Sequence, residues 1–212
     1  MPRLKVCGIN DAAFAVEAAR RGIDYLGLIF AEGSPRRVTV EQAHEIAAAV
    51  SVWRTSQSAT PRLVGVFVKH TPSEIADIAA CVGLDAIQLH GDYDSDAVTY
   101  LKSKGYKVWR LYRSDTGTTG IQPVDANEDA MLLDGRRGTE SHRADWSLVA
   151  PLKRDGHRVV LAGGISAANI ADAIATGADI IDVNSSIEVS PGVKSVALLD
   201  ELLERGQTPH RA

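Results

Sequence analysis

The sequence predicts an α/β fold, a single-domain (β/α)8 TIM barrel, on three observations. Short runs rich in Val, Ile and Leu alternate with longer Ala-rich stretches of helical period. Eight such runs can be counted, at 4–7, 24–29, 62–67, 85–89, 106–111, 130–133, 158–162 and 179–183. The first run is followed by Cys7-Gly8-Ile9-Asn10, where the rival architecture, a doubly wound open sheet, usually carries a Gly-rich dinucleotide fingerprint. At 212 residues the chain is somewhat shorter than the ~250 typical of such barrels.

The helices are expected between these runs. Asn10 is placed to cap a helix from Asp11 to Arg20, and Thr39 one over 40–50. Thr71, Pro72 and Glu74 form a capping-box signature for the third. Asp92 or Tyr93 opens the fourth, Asp145 the sixth and Ser166 the seventh, and the eighth starts near Lys194. The fifth unit lacks a clear helix, because Ser114 to Asn127 carries Gly117, Gly120 and Pro123. Val52 to Pro61 reads as a long polar connection. Residues 1–205 are assigned to the barrel as its catalytic domain, and 206–212 to a flexible C-terminal tail.

Composition narrows the partners. Hydrophobic residues make up 45% and charged residues 24%, enough for a full core. A net charge of -4, with no basic face or aromatic-plus-Arg platform, argues against nucleic acid. No apolar run approaches the ~18 residues that a membrane span needs. Cys7 and Cys81 offer no disulfide framework. The N-terminus enters a strand at once, leaving no room for a signal peptide, and a cytoplasmic location is expected. An anionic substrate would be captured by locally placed cations and backbone amides.

The chemistry gathers where strands end, since strand-to-helix loops form the site face of such barrels. Cys7 stands immediately before Gly8, and Asp134 before Gly135. The seventh run ends in Gly163-Gly164 and the eighth in Asn184-Ser185-Ser186, two turns able to cradle a phosphate with backbone amides. Singly, each has a plain structural alternative: a core cysteine, a capping aspartate, a tight turn. Around a closed barrel, however, strands six, seven, eight and one are consecutive. A sugar phosphate held between the two turns would have a carboxyl group on one flank and a thiol on the other, an arrangement for paired acid–base catalysis. Arg36 and Arg37, in the loop after the second run, are cations for a carboxylate, with Arg37 the better candidate for a solvated charge. Lys5, two residues before Cys7, shares its side of the strand but sits deeper.

These residues resemble the phosphoribosylanthranilate isomerase family. The resemblance rests on Lys5-Val6-Cys7-Gly8-Ile9, Ser34-Pro35-Arg36-Arg37-Val38, Gly65-Val66-Phe67-Val68 and Ile87-Gln88-Leu89-His90-Gly91. It continues in Leu132-Leu133-Asp134, Asp145-Trp146, Ala162-Gly163-Gly164-Ile165 and Asp182-Val183. It implies an isomerase of tryptophan biosynthesis, carrying N-(5′-phosphoribosyl)anthranilate by an Amadori rearrangement to 1-(2-carboxyphenylamino)-1-deoxyribulose 5-phosphate, with no metal or organic cofactor. Carried over, Asp134 is the general acid, Cys7 the general base and Arg36 the ligand of the anthranilate carboxylate. Gly163, Gly164, Asn184, Ser185 and Ser186 would hold the phosphate, and Asp182 sugar hydroxyls or an amine. His90 is expected to line or steady the pocket.

Two departures stand out. The family's Gly-Gly-Ser/Thr-Gly loop after the acid is replaced by Gly135-Arg136-Arg137-Gly138-Thr139-Glu140. Ser186 takes the place of a glycine after the eighth strand, a source of strain if that position requires positive φ. They keep two alternatives open, a divergent sugar-phosphate barrel enzyme and a non-catalytic phosphate-binding barrel.

Overall fold

A computed structural model describes residues 1–54, 61–112, 127–135 and 144–207. Eight parallel strands close into a barrel in chain order: β1 (Arg3–Cys7), β2 (Tyr25–Ile29), β3 (Arg62–Phe67), β4 (Ala86–Leu89), β5 (Lys107–Tyr112), β6 (Ala130–Leu133), β7 (Val159–Leu161) and β8 (Ile180–Val183). Each lies within one residue of its expected bounds. β8 pairs with β1 through Lys5 opposite Asp182, and that pairing completes the ring.

The helices are α1 (Ala12–Arg20), α2 (Val40–Arg54), α3 (Pro72–Val82), α4 (Ser95–Ser103), α5 (Val149–Arg154), α6 (Ile170–Ala175) and α7 (Val196–Gln207). Their starts correct several expectations. Asp11, not Asn10, caps α1, its carboxylate accepting from Phe14 N at 2.8 Å. α2 runs to Arg54, past the expected end at 50, so the supposed polar connection begins inside a helix and its remainder, 55–60, lies outside the described residues. Asp94 caps α4 rather than Asp92 or Tyr93, whose hydroxyl donates instead to the His70 carbonyl. Asp145 caps a single 3-10 turn, Trp146–Leu148, from which α5 continues. α6 begins at Ile170, four residues after Ser166. The Thr71–Glu74 capping box forms as its spacing predicts. α7 extends two residues into the expected tail, and 208–212 lie outside the described residues, as does the loop expected over 113–126.

A device at the lower rim repeats four times. Asp24, Asp85, Asp129 and Asp179 each precede an even-numbered strand, and each carboxylate accepts an N–H from the first or second residue of the preceding odd strand: Leu4, Leu63, Val108 and Val159, at 2.8–3.0 Å. Each satisfies an edge amide and fixes the register of a strand pair. The sequence signal is a short G-x-D motif in three of the four, Gly22-Ile23-Asp24, Gly83-Leu84-Asp85 and Gly177-Ala178-Asp179.

Side chains alternate across the strands, so two apolar layers form. Val6, Leu26, Leu28, Phe67, Ile87, Leu89 and Leu133 face the helices. Tyr25, Val64, Ala86, Trp109, Leu132, Val160 and Ile180 fill the barrel interior, Tyr25 and Trp109 meeting edge-on at 5.1 Å. Burial of each large side chain contributes roughly 1.5–3 kcal/mol. Packed this way, the lower barrel is an apolar plug, while Lys5, Gln88 and Asp182 make the upper end of the interior polar.

A short antiparallel ribbon follows β8 and was not expected from the sequence. A 3-10 turn, Ser185–Ile187, leads into β9 (Glu188–Ser190), which folds back on β10 (Val193–Lys194). Pro191-Gly192 supplies the turn, a recognisable punctuation between two short extended pieces.

Candidate active site

The inward-facing residues at the upper ends of the strands are Lys5 and Cys7 on β1, Gln88 with His90 just past β4, Asp134 just past β6, and Asp182 with Asn184 at the end of β8. The strand order β6, β7, β8, β1 places the two turns between Asp134 and Cys7, as the sequence predicts.

Charge concentrates on the β8–β1–β2 side. Lys5 is fully buried, and its Nζ lies 2.6 Å from Asp182 Oδ2. Cys7 stands beside Lys5 on the same face of β1 and interacts with it electrostatically. Burial works against the Lys5 ammonium, yet Asp182 and Cys7 outweigh it and hold its pKa above the ordinary value. Burial pushes the Cys7 thiol up; Lys5 and Lys194 pull it down, while Asp182 adds to the rise. The electropositive setting that a thiolate requires is therefore present but opposed. Asp182 Oδ1 is buried and has no hydrogen-bond partner among the described residues.

Arg36 crosses the mouth of β1. A Cβ on Gly8, whose φ is +73°, would stand 2.7 Å from Arg36 Cδ and 2.9 Å from Asn184 Oδ1, so the glycine makes room for both. The guanidinium is already engaged: Nε and Nη2 donate to the two carboxylate oxygens of Glu188 at 2.7 and 2.6 Å. Lys194 closes the group, 2.8 Å from Glu188 Oε1 and donating to the Asn184 backbone and side-chain oxygens at 2.8 Å. Burial opposes the Glu188 charge, but Arg36 and Lys194 hold its carboxyl below the usual range. Sequence reasoning missed Glu188 and Lys194; the Pro-Gly turn between them was the available signal.

The other flank is looser. His90 Nε2 stands 3.4 Å from Asp134 Oδ2, and Gln88 Nε2 lies 3.4 Å from His90 Nδ1. Gly163 backs this flank: with φ +84°, a Cβ there would come within 2.5 Å of Gly135 N and 2.8 Å of Asp134 Oδ1. Gly164 also has positive φ, at 69°. Asn169 braces the turn, donating to the Gly164 carbonyl at 2.9 Å and accepting from Ser166 N at 2.8 Å. Because α6 starts only at Ile170, the amides available to an anion belong to the turn and not to a first helical turn. On the β8 side, Ser186 sits in the 3-10 turn, and no described non-glycine residue has positive φ. The feared strain at Ser186 is absent, since this backbone suits a serine as well as a glycine. Its Oγ is buried without a hydrogen-bond partner among the described residues.

Residues 136–143, which carry the altered loop, lie outside the described residues. A cleft of about 180 Å³ between Glu128–Met131 and Asp155–Arg158 opens at the opposite end of the barrel and shares none of these groups. Among the described residues no helix is long and apolar enough to cross a membrane.

Comparison with known proteins adds to this geometry. A family model described as N-(5'phosphoribosyl)anthranilate (PRA) isomerase matches residues 4–205. An isomerase of that name from Rubrobacter xylanophilus is 37% identical over 207 residues, covering 94% of this chain and 96% of its own. The tryptophan biosynthesis protein TrpCF of Vibrio cholerae is 36% identical over 209 residues and 95% of this chain. The chain spans about two fifths of the length of such relatives, 41% there and 38% in Vibrio parahaemolyticus. A crystal structure of the Thermus thermophilus phosphoribosyl anthranilate isomerase superposes with a TM-score of 0.82 at 30% identity, covering 96% of this chain and 97% of that one. Another, of an isomerase in complex with reduced 1-(o-carboxyphenylamino)-1-deoxyribulose 5-phosphate, gives 0.76 at 27% identity, over 98% of this chain and 99% of that one.

Proposed function

The chain belongs to the N-(5′-phosphoribosyl)anthranilate isomerase family, and from that premise we propose that it carries out the family's Amadori rearrangement, with Asp134 as acid and Cys7 as base. The observation that carries this reading is the order of groups around consecutive strand ends: Asp134, the Gly163-Gly164 turn, Asp182 with Asn184–Ser186, then Cys7. A substrate phosphate held by the two turns sets the ribose between acid and base.

Asp134 donates its proton to the furanose ring oxygen, the ring opens, and the anilino nitrogen becomes an iminium. That cation acidifies the C2′ proton, which Cys7 removes as a thiolate. The electron pair moves into an enolamine, which tautomerises to the ketone, so the atoms of substrate and product are the same. The unpartnered Asp182 Oδ1 is an acceptor for the anilino N–H. Arg36 meets the aromatic carboxylate with the donors that Glu188 leaves over, its fork held in one orientation beforehand. The phosphate takes turn amides at Gly163, Gly164, Ser185 and Ser186, with the Ser186 hydroxyl as a further donor.

Lys5 speaks against the Schiff-base lyases among the sugar-phosphate barrels. A nucleophilic amine must be neutral, and Lys5 is kept charged by Asp182.

The test is direct. Purified protein is mixed with enzymatically generated phosphoribosylanthranilate, and loss of anthranilate fluorescence is followed beside the Asp134→Asn variant. Rapid loss that the variant abolishes supports the isomerase. Decay no faster than the spontaneous rate sinks it and leaves a divergent sugar-phosphate barrel enzyme or a non-catalytic barrel.

A further inference from the structure

Cys7 faces more charge than a base needs for its position alone. Lys5 and Cys7 lie two residues apart on one face of β1, side by side because β2 contributes Gly27 opposite them. A Cβ on Gly27 would come 2.8 Å from Cys7 Sγ and 3.2 Å from Lys5 Cε. Asp182 reaches Lys5 from β8 at 2.6 Å, with both side chains nearly or wholly buried. An ion pair in that position is expensive to desolvate, and an apolar pair would often serve stability as well or better. Its chemical consequence is local: an ammonium beside the thiol, and a carboxylate competing for that ammonium. The remaining charges are more distant claims on the same groups. Lys194 on β10 and Arg36 from the β2–α2 loop also face Cys7. Asp134 past β6 and His90 past β4 face Asp182.

We propose that the buried Lys5–Asp182 pair sets the ionisation of Cys7, Lys5 being the counter-cation of the thiolate and Asp182 the anion that competes with it. Both are positioning residues acting through the sulfur. Asp182 has a second oxygen, Oδ1, buried and without a hydrogen-bond partner among the described residues, to which a substrate N–H would donate. A donor bound there draws the carboxylate charge away from Lys5, and the ammonium turns more fully to the sulfur. Filling the site thus favours the ionised base, whose proton has been lost to solvent by equilibrium.

The inference rests on the reading of Cys7 as the base, and its test separates the two. Cys81 is the other cysteine of the chain and is exposed, so Cys81→Ser leaves Cys7 as the sole thiol. In that background the thiol is titrated by ultraviolet thiolate absorbance and by iodoacetamide alkylation across pH. Lys5→Met moves the midpoint to higher pH by about one unit or more, a roughly tenfold loss of thiolate below it. Asp182→Asn moves it to lower pH, because the sulfur becomes the remaining close anion for Lys5. A merely structural role would perturb the thiol in one direction or neither; opposite shifts require the charges. The double variant Lys5→Met/Asp182→Asn falls between the two, and its difference from Asp182→Asn reports on Lys5 should Lys5→Met alone fail to fold. Shifts of one sign, or none, overturn the proposal. Opposite shifts with an unmoved acid limb of kcat/KM in Lys5→Met uphold the control of Cys7 and overturn its role as base.

Discussion

On the β8–β1–β2 side of the site, Lys5 pairs with Asp182, and Glu188 with Arg36 and Lys194, at 2.6–2.8 Å; the side chains of Lys5, Asp182, Arg36, Glu188 and Lys194 are 0, 6, 11, 3 and 2% exposed. On the β4–β6 side, His90 and Asp134 stand 3.4 Å apart with side chains 29 and 26% exposed. The surroundings of Cys7 and Arg36, the proposed base and carboxylate ligand, are thus oriented by folding itself, through ion pairs that no substrate has to assemble. Asp134, the proposed acid, meets His90 at this longer distance and is backed by the Gly163 backbone. A thiol that must receive a proton from carbon gains from fixed geometry and exclusion of water. An acid that must be reprotonated at each turnover gains from access to solvent. The contrast therefore follows the division of labour proposed for the two residues.

The contrast can be broken at its two ends first. Cys7→Ser and Asp134→Asn are each expected to lower kcat by about 10²–10⁴-fold, with melting temperature little changed. Near-normal turnover in either would remove that residue from the mechanism.

Gly163→Ala tests whether the open flank is positioned by backbone. The new methyl meets Gly135 N and Asp134 Oδ1, at a φ that alanine rarely adopts. We expect a loss of about 10²-fold or less in kcat and about 1–3 kcal/mol of stability, read by kinetics and a denaturant melt. Unchanged kcat in a destabilised variant would mean that Asp134 does not depend on this contact.

Glu188→Gln is the mildest test and sharpens the locked side. It keeps the shape but loosens Arg36, so KM should rise several-fold with kcat nearly kept, and stability should fall by about 1–3 kcal/mol. The Glu188 carboxyl is held below its unfolded value, so its stabilisation is complete above that value. It is lost as pH falls through the lower, folded one. The melting-temperature gap between the parent protein and Glu188→Gln should therefore narrow on acidification below the ordinary carboxylate range. A gap independent of pH would show that the charge contributes nothing there.

Much of this molecule can be read from local patterns. Eight apolar runs of strand length with glycine turns sufficed to place every strand of the barrel, because burial on both faces demands continuous Val, Ile and Leu. The Thr71-Pro72-Glu74 cap was equally legible, since its bonds span only three residues. Harder were the helix starts with several polar residues in a row. The sequence offers Asp92 or Tyr93 there, whereas Asp94 caps the helix and the Tyr93 hydroxyl is drawn to the His70 carbonyl, 23 residues away. Ser186 is a point of strain only if its φ is positive, and a residue type alone does not give the backbone angle that decides it. Glu188 and Lys194 were overlooked because a five-residue ribbon gives little periodicity.

What the chain order could establish was the number of βα units and the presence of Cys7, Asp134 and the two turns at strand ends, since all of these depend on neighbours within a few residues. The partners of the charged groups depend on something else. Lys5 meets Asp182 across 177 positions and Arg36 meets Glu188 across 152. The closing of β8 onto β1 chose those pairs from 23 basic and 27 acidic residues. It did so because an ion buried in the barrel must find its counter-ion among the few side chains that closure leaves within reach.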